Sequence, residues 1–217
     1  RLDNLGSTIA FDALRTGEID VYIDYTGTIW ATVMNRSEPI NRNAMLAEMT
    51  GWLYAEHGIL ALGGLGFENA YGFAMARDRA EALGVDSLAD LAAQAEGMSV
   101  GGDAEVFSRP EWVNTRNRYG LGAMQTRAMD AAFMYGAVRD GQVDMISAYT
   151  TDGRIAAFDL LVLADPLAVL PPYDAVILLS PDAAANPALV EALSGLIGAI
   201  DSEAMREANR LVDLDRQ

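Results

Sequence analysis

A short pattern occurs twice in this 217-residue chain and ends each time in Tyr-Thr. Residues 13–20 (ALRTGEID) lead to Tyr25-Thr26, and residues 137–144 (AVRDGQVD) lead to Tyr149-Thr150, 124 positions later. Each copy predicts a helix that ends at a glycine, then an apolar strand that runs out at the tyrosine. The repeat predicts two similar lobes, each presenting an aromatic ring, and suggests a ligand held between them.

Four of the eight tyrosines fall at predicted strand ends or at crossovers between lobes. They are Tyr25, Tyr71, Tyr149 and Tyr173. Rings that converge on a cleft would form an aromatic cage for a quaternary ammonium group, with each desolvated contact contributing about 0.5–2 kcal/mol. The alternative for any one of them is a core tyrosine whose hydroxyl is hydrogen-bonded. Tyr54 and Tyr135 are instead predicted to pack on helices.

Other chemistry finds little support in the sequence. The single histidine, His57, is predicted in the last turn of a helix, where it interacts with the helix dipole. Without cysteine, and with scattered carboxylates, the chain has no ligand cluster for a metal. Residues 63–66 (GGLG) lack the Lys-Ser/Thr of a phosphate-binding loop and are interpreted as a turn. We therefore predict no catalytic residue, no metal and no cofactor.

An enzyme remains an alternative because four carboxylates fall near the supposed cleft, although their spacing selects no pair. They are Asp20, Asp24, Asp144 and Asp152.

Composition narrows the classes of partner. Fifteen arginines and no lysine face 31 acidic residues, and the resulting formal charge of −16 disfavours nucleic acid and anionic lipid surfaces. An apolar content of 51% predicts a well-buried core, and no apolar stretch approaches the roughly 20 residues of a membrane span. The chain starts at Arg1 without a signal peptide, which is typical of a mature, processed or excised segment.

Strands alternating with helices predict an α/β fold with two open sheets and a hinged ligand cleft. Lobe 1 is predicted to comprise residues 1–75 and 174–217, and lobe 2 residues 76–173, with crossovers near 70–77 and 168–176. The predicted strands are 19–23, 70–76, 98–101, 143–148, 160–163 and 175–179. The predicted helices are 7–17, 42–57, 111–119 and 126–138, with two more starting near Pro187 and Ser202.

Four strings resemble a known family in order and spacing: LGSTIAFDALRTGEIDVYIDYTGT, GFENAYGFAM, AYTTDGRIAAFDLLVLAD and PPYDAVIL. They are similar to the substrate-binding proteins of osmoprotectant ABC transporters, the glycine betaine/choline/proline betaine family. The resemblance covers nearly the whole chain. It implies a two-lobed type II periplasmic-binding-protein fold, with a ligand cleft between the lobes, that delivers a compatible solute to a membrane permease. The first strand and helix of lobe 1, usual in the family, are absent from this chain.

The resemblance also implies roles for particular residues. Tyr25 of YTGT, Tyr71 of NAY, Tyr149 of YTTDGR and Tyr173 of PPY correspond to the rings of the cage. Thr28 and Arg109 correspond to the groups that bind the ligand carboxylate, for which an arginine fork is well suited. Because Thr28 follows Tyr25 whereas Asp152 follows Tyr149, we expect the ligand's anion to lie toward Thr28 and Arg109.

The resulting expectation is a non-enzymatic, periplasmic or otherwise extracytoplasmic receptor for a glycine betaine-like solute. Its partners would be the small ligand and an ABC permease, with membrane attachment through an anchor or fusion outside this chain. Alternatives are a receptor domain fused to a permease, a receptor for carnitine, choline or another betaine, or an enzyme that uses the cleft carboxylates.

Overall fold

The chain forms two compact units in a computed structural model that describes residues 7–36, 38, 40–103 and 106–214. The first unit runs to Asn69 and resumes over Pro172–Ser202, and the second comprises Ala70–Pro171 and the chain from Glu203 onward. The backbone therefore passes from one unit to the other three times. No helix in the described ranges is long and apolar enough to cross a membrane.

In the described part of the chain the strands are β1 (Val21–Tyr25), β2 (Leu60–Glu68), β3 (Tyr71–Ala76), β4 (Ser99–Gly102), β5 (Gln125–Ala128), β6 (Met145–Tyr149), β7 (Leu160–Val162) and β8 (Asp174–Leu179). The α-helices there are α1 (Ser7–Thr16), α2 (Thr26–Thr28), α3 (Arg42–His57), α4 (Arg77–Leu83), α5 (Leu88–Leu91), α6 (Pro110–Arg118), α7 (Ala131–Arg139), α8 (Gly153–Ala157), α9 (Pro181–Ala184), α10 (Pro187–Ser194) and α11 (Ser202–Asp213). A π-helical turn, Ile29–Val33, continues α2, and short 3₁₀ turns occupy Ala92–Gln94, Val106–Ser108 and Leu121–Ala123.

The first unit contains an antiparallel sheet in the order β1-β8-β2. Residues 175–179 of the central strand β8 are fully buried, as their unbroken apolar sequence predicts. Leu14 of α1 and Met49 and Leu53 of α3 pack in the same core. Predicted helices 7–17 and 42–57 are confirmed, and α3 ends at Gly58 in the left-handed conformation. Strand β1 pairs with β8 as far as Tyr25, which lies opposite Ala175.

Residues 63–66 belong to β2, so their interpretation as a turn is wrong. β2 pairs with β8 through two register shifts, and Gly66 has a φ of +114°. A side-chain carbon at Gly66 would lie 2.7 Å from the Ile200 carbonyl oxygen, so glycine lets the 198–200 segment approach. Gly198 and Ile200 donate backbone hydrogen bonds to this stretch. The glycines thus serve a bulged strand rather than a chain reversal.

The second unit contains a mixed sheet in the order β5-β4-β6-β3-β7. β4 is parallel to β5 and β6, whereas β3 is antiparallel to β6 and β7. One apolar cluster contains Val100 and Met145, and another contains Tyr135 and Ile146. The predicted helix over 126–138 is wrong in its first part, because residues 125–128 form β5 and α7 begins at Ala131, capped by Asp130. β5 is exposed throughout, so no apolar pattern marks it.

The C-terminal helix α11 groups with the second unit, whereas the sequence placed it in lobe 1. Arg206 Nε donates to the Thr150 carbonyl at 2.6 Å, and Asn209 Nδ2 donates to the Thr151 carbonyl at 2.7 Å. A side-chain carbon at Gly153 would lie 2.5 Å from the Arg210 backbone nitrogen, so only glycine permits this approach.

The first crossing lies at the start of the predicted crossover near 70–77 and the second lies inside the predicted crossover near 168–176, but both differ from the predicted lobe boundaries. They fall after Asn69 and after Pro171 rather than at 75/76 and 173/174. The first is earlier because all of β3 pairs with β6 and β7 of the second unit. The second precedes Tyr173, whose carbonyl accepts a hydrogen bond from Asn69 in the first unit.

Candidate functional site

Two of the predicted cage tyrosines form a stacked pair in the second unit. The register of β3 and β6 places Tyr71 directly opposite Tyr149. Their ring centroids lie 4.9 Å apart at an interplanar angle of 38°, and the Tyr149 hydroxyl donates to the Tyr71 hydroxyl at 3.0 Å. Burial, then the hydrogen bond with Tyr149, raise the pKa of Tyr71 above its ordinary value. The Tyr71 hydroxyl therefore stays protonated at neutral pH.

Arg109 completes this group of side chains. It is the residue just before α6, and its guanidinium carbon lies 5.4 Å from the centroid of the Tyr71 ring. This distance is within the range of a cation–π contact. The structure therefore brings three of the six predicted site residues together on the second unit, and it shows that a face of Tyr71 accepts a cation.

The other three predicted residues belong to the first unit. Tyr25 ends β1, and its side chain is hydrogen-bonded to Asn69. Tyr173 lies over the first turn of α2, where a side-chain carbon added at Gly27 would be 2.6 Å from its ring carbon Cε1. Thr28 is the last residue of α2 and is half-buried. The glycine of the YTGT string thus makes room for the Tyr173 ring.

A polar network that the sequence did not reveal holds Tyr173. The Asn69 N–H donates to the Tyr173 carbonyl at 3.0 Å, and the Tyr173 N–H donates to Glu68 Oε2 at 3.3 Å. Arg42 pairs with Glu68 at 2.8 Å and also with Asp174. The network joins three stretches that are far apart in sequence, at position 42, at 68–69 and at 173–174. No local spacing could therefore have indicated it.

Asp24, next to Tyr25, is an unusual carboxylate. Its side chain is 2% exposed, and Oδ1 accepts a hydrogen bond from the Tyr25 N–H at 2.8 Å. Within the described residues, Oδ2 has no hydrogen-bond partner. Burial raises the pKa of Asp24 to about 6, and the Tyr25 N–H opposes that rise only in part. An ionised Asp24 is therefore costly to the folded state.

Two other candidate carboxylates have structural partners in the second unit. Asp152 caps α8 and pairs with Arg154 at 2.7 Å. Burial alone would raise the pKa of Asp152, but the hydrogen bonds from Arg154 outweigh it and lower the pKa. Asp144 accepts hydrogen bonds from Ser99 N–H and Oγ.

Two further candidate residues, Asp20 and His57, also make structural contacts. Asp20 is exposed and accepts a backbone hydrogen bond from the Ser180 N–H. His57 packs edge-on against Phe11 and Trp52. Among the residues that the structure describes, no three His, Cys, Asp or Glu side chains group as metal ligands.

Two α/β units that the backbone connects repeatedly, with tyrosines at the ends of their strands, are the features of a solute-binding protein of the type II periplasmic fold. The chain belongs to the family described as the substrate binding domain of ABC-type glycine betaine transport systems, whose model matches residues 1–217. Domains of this family act outside the cytoplasm.

Similar proteins include a glycine-betaine-binding protein of Pseudomonas aeruginosa, 30% identical over 98% of this chain and 72% of that protein. An ergothioneine transport permease/ergothioneine binding protein of Helicobacter pylori is 26% identical over 93% of this chain. This chain spans only 36% of the length of that relative. A crystal structure of a glycine betaine/carnitine/choline ABC transporter matches with a TM-score of 0.91 and 26% identity, over 99% of this chain and 80% of that one. The predicted fold class is confirmed.

Proposed function

We propose that this chain is the ligand-binding domain of an ABC importer and that it binds a quaternary-ammonium solute of the glycine betaine type. One observation carries the proposal: Tyr71 and Tyr149 stack at 4.9 Å, with the Arg109 guanidinium over Tyr71. Paired aromatic rings beside a guanidinium provide one surface for a cation and one group for an anion. A betaine carries both charges.

The cationic part of the ligand would contact the faces of the tyrosine rings. A trimethylammonium group donates no hydrogen bonds and loses water at low cost, so aromatic faces suit it better than carboxylates do. Tyr71 and Tyr149 supply two rings from the second unit, and Tyr25 and Tyr173 are the other two rings of the proposed cage. Burial raises the pKa values of Tyr71 and Tyr25 further above the ordinary value of a tyrosine.

The anionic part of the ligand would bind Arg109 and Thr28. A guanidinium can donate two parallel hydrogen bonds to a carboxylate, and the threonine hydroxyl can donate one more. Choline has the same cationic head without the carboxylate. The relative affinity for glycine betaine and choline therefore measures how much this anionic subsite contributes.

The proposed partner is a membrane permease that recognises the loaded domain. Attachment to the membrane would come from an anchor or a fusion outside this chain. The relative from H. pylori, whose name joins a permease with a binding protein, supports the fusion alternative. Carnitine, choline and ergothioneine are alternative ligands, because they appear in the names of similar proteins and all carry a trimethylammonium group.

The test is a titration followed by intrinsic fluorescence. Trp112 can report on the site because it lies on α6, the helix that begins just after Arg109. Its ring also contacts Phe107 and Phe73, and Phe73 lies on β3 with Tyr71. Glycine betaine, carnitine, choline and ergothioneine are added in turn, with glycine as the unmethylated control. We expect saturable binding of at least one trimethylammonium compound and none of glycine. Absence of saturation with all four would refute the proposal.

Substitution of Tyr149 tests the cage directly. Tyr149→Ala removes one ring and should weaken binding of the preferred ligand about 2- to 30-fold, which corresponds to about 0.5–2 kcal/mol. Tyr54→Ala is the matched control, because Tyr54 is 66% exposed on α3 and lies outside the proposed site. Equal affinities of the two variants would argue against the cage.

The proposed receptor releases its ligand unchanged. Mass spectrometry of the ligand after prolonged incubation with the protein separates this function from the enzyme alternative. We expect complete recovery, and accumulation of any product would favour an enzyme.

A further inference from the structure

The tyrosine pattern that occurs twice in the sequence carries a second residue with a matched role. We propose that Thr26 and Thr150, the threonines that follow Tyr25 and Tyr149, are positioning residues. Each fixes the backbone that carries the second tyrosine of its own unit, Tyr173 or Tyr71. The inference rests on the proposed function, because it assigns to these threonines the geometry of the tyrosine rings that bind the ligand.

In the first unit, Thr26 bonds to the residues on both sides of Tyr173. Its side chain is 1% exposed. Its hydroxyl donates to the Pro172 carbonyl at 3.3 Å and accepts from the Asp174 N–H at 3.0 Å. One hydroxyl group therefore spans the backbone immediately before and after the ring-bearing residue.

In the second unit, Thr150 bonds to the residue before Tyr71 and lies close to the residue after it. Its hydroxyl accepts from the Ala70 N–H at 3.0 Å, and its own N–H donates to the Ala70 carbonyl at 3.0 Å. Its methyl carbon Cγ2 would lie 3.1 Å from a side-chain carbon added at Gly72. The threonine thus packs against the backbone at positions 70 and 72.

The two arrangements share one feature, the place where the threonine bonds to the chain. In each unit a tyrosine ends a strand, and the next residue is a threonine that bonds to the chain just after it enters that unit, at Pro172 or at Ala70. The second tyrosine lies next to that point of entry. The two copies of Tyr-Thr therefore each provide one tyrosine directly and bond, through the threonine hydroxyl, to the backbone next to a second tyrosine.

There is a physical reason for such a device. A ring whose face must receive a ligand cannot be immobilised by packing on that face, so its orientation depends on its backbone and on the opposite face. Binding geometry has to be held within about 0.5 Å and 10–20°. A threonine hydroxyl suits the task because it donates and accepts at once, and because its branched carbon restricts its rotamers.

The test uses isosteric valine variants of each threonine. Thr26→Val and Thr150→Val remove the hydroxyl and keep the shape, whereas Thr26→Ser and Thr150→Ser keep the hydroxyl. Thr115→Val is the control: Thr115 is fully buried on α6, and its hydroxyl donates to the Glu111 carbonyl at 2.7 Å, so the variant loses a buried hydrogen bond that does not involve the backbone next to Tyr71 or Tyr173.

Two readouts are combined. The first is NMR of ring-labelled tyrosine without ligand, with signals assigned through single Tyr→Phe variants. We expect Thr150→Val to shift the signals of Tyr71 but not of Tyr173, and Thr26→Val to do the reverse. The second is affinity for the preferred ligand, which each valine variant should lower about 3- to 10-fold, in line with the loss of one hydrogen bond.

The serine variants should restore both readouts, and Thr115→Val should lower the melting temperature with ligand affinity unchanged. If either valine variant does not fold, the matching alanine variant replaces it, since a water molecule can occupy the vacated volume. Unit-selective tyrosine shifts that serine reverses would support the inference. Unchanged tyrosine signals, or shifts that do not distinguish the two units, would overturn it.

The same data separate the two proposals. Selective tyrosine shifts in a protein that binds no trimethylammonium compound would reject the proposed function and keep the positioning role. Ligand binding by the wild-type chain with unchanged affinity and signals in both valine variants would reject the positioning role alone.

Discussion

Arg109 and Tyr71 present a cation and an aromatic face within one contact distance. The guanidinium carbon lies 5.4 Å from the ring centroid, so a ligand carboxylate that pairs with Arg109 would be adjacent to Tyr71. A trimethylammonium group on the same ligand would then face the remaining rings of the proposed cage. The proposed site would therefore favour ligands with both charges over ligands with the cation alone.

Replacing Arg109 should therefore affect ligands unequally. Arg109→Gln should weaken glycine betaine binding about 10- to 100-fold, because hydrogen bonds between charged groups contribute roughly 1.5–3 kcal/mol. Choline has no carboxylate for Arg109 to bind, so its affinity should fall by less than about 2-fold, below the effect of losing one neutral hydrogen bond. Isothermal titration calorimetry of both ligands measures the difference. Equal losses would show that Arg109 does not bind the carboxylate.

Asp24 predicts a particular dependence of stability on pH. Its pKa rises from 3.8 to about 6 on folding because it is buried. As pH rises, the carboxyl group of the unfolded chain loses its proton before that of the folded chain. The free energy of unfolding therefore falls between pH 3.8 and about 6, and the contribution of Asp24 is constant above that range. The shift corresponds to at most about 3 kcal/mol.

We expect Asp24→Asn to remove this dependence. The free energy of unfolding of the variant minus that of the wild type should be larger at pH 7.5 than at pH 4, by up to about 3 kcal/mol. Urea unfolding at the two pH values measures the difference in the free energy of unfolding. Asp12→Asn, at an exposed aspartate on α1, controls for the loss of one negative charge. A wild type and variant that respond alike to pH would show that Asp24 is not a costly buried charge.

At the scale of elements, α2 and Tyr173 depend on each other through Gly27. A side-chain carbon at Gly27 would lie 2.6 Å from the Tyr173 ring, well inside normal contact distance. Gly27→Ala should displace the ring and weaken ligand binding about 2- to 30-fold, the contribution of one cation–π contact. Fluorescence titration of the variant and the wild type measures this loss of affinity.

Gly51→Ala is the matched control. Gly51 lies inside α3 with nothing within 4 Å of the added carbon, so alanine should stabilise the helix by about 0.5–1 kcal/mol and leave affinity unchanged. Wild-type affinity in Gly27→Ala would show that the Tyr173 ring does not contact the ligand.

Elements with a strong local signal were predicted well. Helix α3 has apolar residues at helical spacing, an Asn41 cap and a terminal Gly58, and its bounds match the prediction. Strand β8 was predictable from its apolar run. Strand β5 was not, because its residues are exposed and it exists through parallel pairing with β4.

The candidate site shows the same division. The four tyrosines were predicted as site residues from their positions at predicted strand ends or crossovers. By contrast, the bonds of Thr26 and Thr150 join residues 146 and 80 positions away, so only the folded chain reveals them. Gly27 lies between the predicted site residues Tyr25 and Thr28. Glycine is required there because of the Tyr173 ring, which comes from a distant part of the sequence.

At the scale of the whole molecule, α1 and α11 belong to different units. Ile9 on α1 is 60% exposed and Val212 on α11 is 63% exposed, and the chain has no cysteine. Ile9→Cys with Val212→Cys therefore allows specific attachment of two fluorophores. If ligand binding moves the units, energy transfer between the two fluorophores should change saturably. Its midpoint should equal that of the binding curve.

The control pair keeps both labels in the first unit, at Ile9→Cys and Tyr54→Cys, and its energy transfer should not change. A ligand that binds while leaving the first pair unchanged would argue against domain movement. An equal response of both pairs would point to a change inside the first unit.

The docking of α11 on the second unit has a consequence for dissecting the molecule. Neither unit is a continuous stretch of sequence, so a fragment covering Ala70–Pro171 lacks the helix that bonds to the Thr150 and Thr151 carbonyls. Such a fragment would expose the close-packed backbone around Gly153, four residues after Tyr149. An independently folding second unit has to be made by splicing residues 203–214 onto the excised stretch through a linker.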